Sequence, residues 1–427
     1  MSFSGLTSGF DMGESEAEAV TLQPDGASET STALPSASEH QSLPAASSKT
    51  GQIIGEKGKV FVDPSNSECP CTPVNIWLDV FFLLDSSSAM TISGFQYITA
   101  YVESVLYRMS VGLADGQQTR VGFITYGTNA TLHYNLSHWE SSNELLNYMN
   151  LSLESSVGTN IEAAIRLANA NFVAPHHRPN ARKVIVIIAS AFESGRYNDP
   201  TVAANTFKED GGVIITIEYV QVHGAPVPML DTLASPGYVL TNRYGRVDVW
   251  ELHKLFCKAN CFCPTNYKPF KMKGDLPYGG CYKMSTLPAI QALAQRSCRR
   301  HFNGSLTTVE SLGKAEFLTN SKVSYLKNVT SEKNEFLVMR SNSSFWIGLR
   351  YKDQAYRWTS GDAVHDDDFK LWATHYPDSQ QGDCVRMEKC DSCESKVAWY
   401  NEYCGRDLVY TCQTLACSTD HYCPVIR

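Results

Sequence analysis

Between Trp346 and Cys412 the chain alternates large aromatics and cysteines with loop-type residues: Trp346-Ile347-Gly348-Leu349, then Trp358, Trp372, Cys384, Trp399, Cys404 and Cys412. Such a stretch folds as a small unit whose aromatic core is stapled by disulfides. It cannot account for all 427 residues, and a chain of that length divides into more than one core. Two domains and a tail are expected.

The cysteine count is even, at 14, and six Asn-x-Ser/Thr sequons stand at Asn129, Asn135, Asn150, Asn303, Asn328 and Asn342. Together they point to an oxidising, extracellular compartment and a secreted protein. Met1 to Val20 shows neither a basic segment nor an apolar one, so no signal peptide is visible and an incomplete N-terminus is expected. The alternative is a cytosolic chain with reduced thiols. Apolar runs such as Val184 to Ala189 fall far short of the roughly 18 residues that span a bilayer, so no transmembrane segment is expected. A net charge of −8, with Arg299-Arg300 as the longest basic run, excludes a nucleic-acid footprint.

Residues 1–68 are rich in Ser, Thr, Ala, Glu and Pro, a composition that buries too little apolar surface to offset chain entropy, and they read as a disordered tail. Ser28 to Ser48 suits either O-glycosylation or a plain spacer.

In residues 69–261, Ile76 to Leu84 is a near-continuous apolar run, as a strand buried on both faces should be. Phe95, Ile98, Val102, Val105 and Met109 then recur at helical spacing. The alternation continues through strands at Val121 to Tyr126, Val184 to Ile188 and Val213 to Ile217, a helix at Ile161 to Phe172, and a last helix carrying Val249, Leu252 and Leu255. This is a doubly wound, Rossmann-like α/β pattern, in which ligands sit beyond the carboxyl ends of strands. With Asp85-Ser86-Ser87-Ser88-Ala89 after the first strand, the segment resembles the von Willebrand factor A domain.

That resemblance implies a Mg²⁺ site made by an Asp-x-Ser-x-Ser loop, a threonine and a second aspartate. Asp85 and Ser87 match, Thr159 is the candidate threonine, Ala89 stands for the second serine and Ser190 for the aspartate. One carboxylate makes a weak Mg²⁺ site, so a relict loop is the competing expectation. The termini of such domains lie close together, which pairs Cys69 and Cys71 with Cys257 and Cys261 in an open order. Cys263 follows so closely that the joint to the next domain should be short and stiff.

Residues 263–412 place helices at Ile290 to Cys298 and Leu312 to Leu318 before the tryptophan-rich stretch, and resemble the α+β C-type lectin-like domain. The resemblance implies the pairs Cys298–Cys412, Cys384–Cys404 and Cys263–Cys281; Cys390–Cys393 and Cys417–Cys423 close the count, the last pair lying in a cysteine-containing tail over 413–427. Zinc at Cys257-x3-Cys261 or Cys390-x2-Cys393 is disfavoured, because neither has a second half-site at similar spacing. It also implies Ca²⁺ held by a proline-centred loop and by residues after the late tryptophan. Here the loop reads Tyr376-Pro377-Asp378, and Tyr400-Asn401-Glu402 follows Trp399. Asp378, Asp383, Asn401 and Glu402 remain as oxygen donors, fewer than the six to eight calcium takes. Tyr376, Tyr400 and Tyr403 give the surface an aromatic character suited to a sugar face, a protein, or simple ring packing.

No nucleophile elbow, zinc-protease motif or phosphate loop occurs, so an enzyme is not expected. The tandem arrangement resembles secreted invertebrate proteins, chiefly nematode. That implies recognition of glycans or extracellular glycoproteins, with host defence as one setting; a matrix or adhesion protein without sugar specificity is the alternative.

Overall fold

The computed structural model describes residues 69–173, 175–221, 224–273, 276–319 and 344–424. The tail over residues 1–68 and the sequons at Asn328 and Asn342 lie outside the described residues.

The first domain is a six-stranded sheet. Its strands are β1 (Asp79–Asp85), β2 (Arg120–Tyr126), β3 (Ala130–Tyr134), β4 (Lys183–Ala189), β5 (Val213–Glu218) and β6 (Val239–Thr241), in the order β3-β2-β1-β4-β5-β6. All neighbours are parallel except the antiparallel β2–β3 edge pair. Helices α1 (Ile92–Leu106), α2 (Ser142–Tyr148), α3 (Ile161–Asn171), α4 (Pro200–Glu209), α5 (Met229–Leu233) and α6 (Val249–Ala259) flank it. β1 explains the layering. Val80, Phe82 and Leu84 point into one core with Phe95, Ile98 and Val102 of α1 and Phe256 of α6. Phe81 and Leu83 point into the other with Ile161 and Ile165 of α3 and Phe207 of α4. Burial on both faces is why the strand reads as an unbroken apolar run.

The expected strand at Ile76 starts three residues later, at Asp79. Pro73–Asn75 forms a 3₁₀ turn, and the Trp77 N–H donates to the Asn260 side chain (2.8 Å) instead of to a neighbouring strand.

The second domain contains β7 (Lys268–Lys273), β8 (Leu276–Ala289), α7 (Gln291–Arg300), β9 (Ser305–Leu306), α8 (312–319), β10 (Phe345–Lys352), β11 (Ala355–Trp358), β12 (Cys384–Lys389), β13 (Val397–Glu402) and β14 (Leu408–Thr414). Six of the strands run β13-β12-β10-β14-β8-β7, with β11 on β10 and β9 on β14. Trp346 and Trp399 are fully buried. Trp358, Phe369 and Trp372 meet the Trp399 ring edge-on, the arrangement ring quadrupoles favour. The Trp346 indole N–H donates to the Ala289 carbonyl (2.8 Å), so the buried ring leaves no polar atom unpaired.

Seven disulfides pair Cys69 with Cys261, Cys71 with Cys257, Cys263 with Cys281, Cys298 with Cys412, Cys384 with Cys404, Cys390 with Cys393 and Cys417 with Cys423. The last closes a small loop that seats against the first domain. Phe262 and Cys417 exchange backbone hydrogen bonds (2.8 and 3.2 Å), and the buried Trp77 donates its indole N–H to the Ser418 carbonyl (2.8 Å). The Trp77 ring meets Tyr422 edge-on at 4.9 Å and Phe262 at 5.6 Å. The Asn180 amide donates to the Cys423 carbonyl (2.6 Å), and the Thr419 hydroxyl both donates to the Pro70 carbonyl (2.6 Å) and accepts the Thr72 N–H (3.0 Å). Trp77 and Asn180 stand just before β1 and β4. The joint therefore holds the amino ends of the parallel strands and leaves their carboxyl ends free.

Candidate functional site

At the carboxyl end of β1, four loops meet. Ser88 N donates to the Ser156 carbonyl and Ser155 N to the Ser86 carbonyl, which ties the loop after β1 to the one before α3. Asp85 ties it to the loop after β4. Its carboxylate is fully buried; one oxygen accepts the Ser87 N–H (3.0 Å), the other the Ser190 N–H (3.0 Å) and hydroxyl (2.7 Å). Ser87 turns its hydroxyl to the Ala89 N–H, and Thr159 turns its hydroxyl to the Glu193 N–H (2.8 Å). Gln221 bridges from the loop after β5, accepting the Thr91 N–H (3.0 Å) and donating to the Ala89 carbonyl.

Asp85, Ser87 and Thr159 thus lie at one end of the sheet, but each already serves the protein. A divalent cation there needs oxygens free to point at it, and a second carboxylate to offset its charge. Ser190 puts a neutral hydroxyl, already donating to Asp85, where the cation site needs a second carboxylate, so these residues do not fit Mg²⁺.

The second site lies at the end of the β12–β13 hairpin. Asn401 is nearly fully buried and has three polar partners: its amide oxygen accepts the Asp378 N–H (2.9 Å), and its nitrogen donates to the Gly382 carbonyl and the Tyr356 hydroxyl (both 2.9 Å). It therefore staples both ends of the 378–382 loop to β13. Gly382 permits this: φ is +112°, and a Cβ would come 2.6 Å from the Glu402 carbonyl oxygen. Tyr376–Pro377 is a cis peptide. Asp378 accepts the Gln380 N–H (3.0 Å), and Asp383 is exposed.

Glu402 is also taken. One oxygen accepts the Tyr403 N–H (3.1 Å); the other meets Arg406 and Arg386, the latter at 3.2 Å. Register explains the Arg386 contact: Arg386 lies opposite Tyr400 and Cys384 opposite Glu402, so side chains of both strands share a face. Arg386 also pairs with Glu388, and its guanidinium lies 4.6 Å from the Tyr400 ring centroid. These are ion-pair contacts; the Arg386 Nε and Nη1 hydrogens make no aligned hydrogen bond. A fixed guanidinium between two carboxylates supplies the positive charge that a bound cation would bring, so the donor set does not fit Ca²⁺. Among the described residues no group of three or more His, Cys, Asp or Glu side chains is arranged to hold a metal.

Tyr376 and Tyr400 are half-buried, meet edge-on at 5.0 Å and pack on Ala373, Ala398 and the Cys390–Cys393 bridge. Burial and then the Glu388 carboxylate push the Tyr400 phenol above its ordinary pKa, which keeps it protonated. The exposed aromatic is Tyr403, whose hydroxyl donates to the Gln380 carbonyl (3.2 Å). Sequence reasoning passes over Arg386, Arg406 and Tyr356. Counting Arg386 and Glu388 forward from Cys384 against Glu402 is the available signal for the first.

Four sequons are described. Asn129, Asn150 and Asn303 are exposed or nearly so, and Asn135 is half-buried, its side-chain oxygen accepting the Ser137 N–H (2.9 Å). No helix among the described residues is long and apolar enough to cross a membrane.

Comparison with known proteins matches the von Willebrand factor type A domain to residues 79–255 and the lectin C-type domain to residues 290–414. Domains of both kinds typically bind metals. C-type lectin domain-containing protein 160 of Caenorhabditis elegans is 27% identical over 373 residues, covering 83% of this chain and 56% of that protein. The chain therefore spans little more than half the length of that relative. Asialoglycoprotein receptor 2 of Rattus norvegicus is 25% identical over 171 residues, 38% of this chain and 48% of that protein. Proximal thread matrix protein 1 from the mussel byssus superposes with a TM-score of 0.37 at 18% identity, covering 43% of this chain and 46% of that one. In this chain a von Willebrand factor type A domain precedes a C-type lectin domain.

Proposed function

We propose that this is a non-enzymatic, secreted recognition protein whose lectin domain binds glycan or glycoprotein ligands without calcium. The surface is the 376–383 loop with Tyr376, Asp378, Asp383, Tyr400 and the exposed Tyr403, and Asn401 and Glu402 are its buried supports. One observation carries the reading. Two of the four oxygen donors that remain for a calcium ion, Asn401 and Glu402, are committed to the 378–382 backbone and to Arg386 and Arg406, and the loop is stapled without metal. A preorganised loop binds without a further ordering cost. The rat relative, by its name a receptor for asialoglycoproteins, supports the ligand class. Host defence is one setting for such recognition.

The test is a glycan array probed with the full chain, with calcium and with EDTA. Binding should persist in EDTA and fall at least about tenfold in Tyr403→Ala, a loss of one exposed aromatic contact. Binding abolished by EDTA would overturn the calcium-free reading. No glycan signal in either buffer, with binding to immobilised matrix proteins, would favour a second reading: an adhesion protein using both domains. The stiff joint built on Trp77 favours that alternative, because it fixes the two domains as one body.

A further inference from the structure

β3 is an edge strand. It pairs with β2 alone, and among the described residues no backbone hydrogen bond outside that pairing involves residues 130–134. An open edge is a template for a second copy, and proteins usually blunt it with lysine, proline, brevity or a bulge. The opposite edge, β6, is three residues long, with Arg243 two residues beyond its end. β3 runs five residues, Ala-Thr-Leu-His-Tyr, with no lysine or proline; of those devices it carries a single bulge, the register shift opposite Phe123 and Ile124.

Three of the four described sequons surround this strand. Asn129 is the residue before it, exposed, with Thr131 as its hydroxyl partner. Asn135 is the residue after it. Asn150 is exposed and held at the same end, where its N–H and carbonyl meet the Tyr134 hydroxyl at 3.2 and 3.3 Å. The sequons bracket the strand from both ends. N-linked glycans are bulky, polar and confined to the surface.

We propose that N-glycans on Asn129, Asn135 and Asn150 shield the β3 edge and keep the first domain from pairing edge-to-edge with a second copy of this chain. The proposal rests on the extracellular reading. The glycans then take the place of the charged residues that sheet edges otherwise carry.

The experiment uses the full chain secreted from eukaryotic cells. Glycopeptide mass spectrometry should find the three sites occupied, and light scattering should find a monomer. The triple variant Asn129→Gln, Asn135→Gln, Asn150→Gln should rise toward twice the monomer mass as concentration increases, and Asn303→Gln, in the other domain, should not. Adding Thr131→Lys to the triple variant should restore the monomer by placing charge on the edge. If the triple variant does not fold, the wild-type protein is trimmed after folding to one sugar per site, and self-association is read on that material. A monomeric triple variant or trimmed protein overturns the proposal. So does occupancy at Asn303 with none around β3, which leaves the extracellular reading standing. A chain with no glycan at any site and reduced thiols removes both.

Discussion

Ser190→Ala tests whether the first domain has replaced its cation with a hydrogen bond. Asp85 is fully buried and has three donors, of which the Ser190 hydroxyl at 2.7 Å is the shortest. Water does not reach the carboxylate, so the lost donor is not replaced, and a hydrogen bond to a charged group contributes about 1.5–3 kcal/mol. For a domain of this size each kcal/mol moves the melting temperature by about 2–4 °C, which gives a drop of about 3–12 °C in scanning calorimetry. The companion measurement adds magnesium. A ligand that binds only the native state raises stability as its concentration exceeds its dissociation constant. The wild-type transition should stay still in ~5 mM Mg²⁺, well above the concentrations that fill a competent site. S190D places a second carboxylate at hydrogen-bond distance from Asp85; it should be destabilised in EDTA and partly restored by magnesium. The reasoning fails if Ser190→Ala melts with the wild type, or if magnesium stabilises the wild type in a manner that Asp85→Ala abolishes.

His253 makes stability depend on pH. Burial lowers its pKa from 6.5 to about 4, so between those values the unfolded chain binds the extra proton and the native state does not. Its contribution is complete above about pH 6.5 and is lost as pH falls toward 4; the wild type should be about 2 kcal/mol less stable at pH 5 than at pH 7 on this account. Urea titrations at the two pH values check this, and an unchanged difference in His253→Gln would assign the effect elsewhere. Trp77→Ala empties the joint of its central ring and indole donor and should cost about 3–5 kcal/mol. Hydrogen exchange should show residues 417–423 opening first, and protection equal to wild type there would refute the clamp.

Much of the first domain is legible in the sequence because its central strands are buried on both faces. The apolar runs at β1, β4 and β5 have the length of doubly buried strands and are too short for buried helices. β3 escapes because a five-residue edge strand with one half-solvated face has no such run, and the short helix α5 offers little periodicity to read. In the lectin domain the tryptophans and cysteines mark the core directly. The loop chemistry is only half legible: that Asn401 and Glu402 depart from a calcium pattern is visible in order, but their partners are not. Tyr356 lies 45 residues from Asn401 and Arg386 lies 16 before Glu402, and only the folded chain brings them together. The Trp77 clamp is the extreme case, a contact across 341 residues that no local pattern encodes.

The disulfide connectivity has a mechanical consequence. Tension applied between the chain ahead of Cys69 and the chain beyond Cys423 crosses to Cys261, passes from Cys263 to Cys281, runs to Cys298, crosses to Cys412, and leaves through Cys417 and Cys423. The load path skips residues 70–260, 264–280, 299–411 and 418–422. Asp85 and Ser190 lie in one bypassed loop and the 376–403 surface in another. Covalent bonds carry the pull while both candidate binding faces stay slack, so a tether at either end can be strained without deforming what the protein recognises.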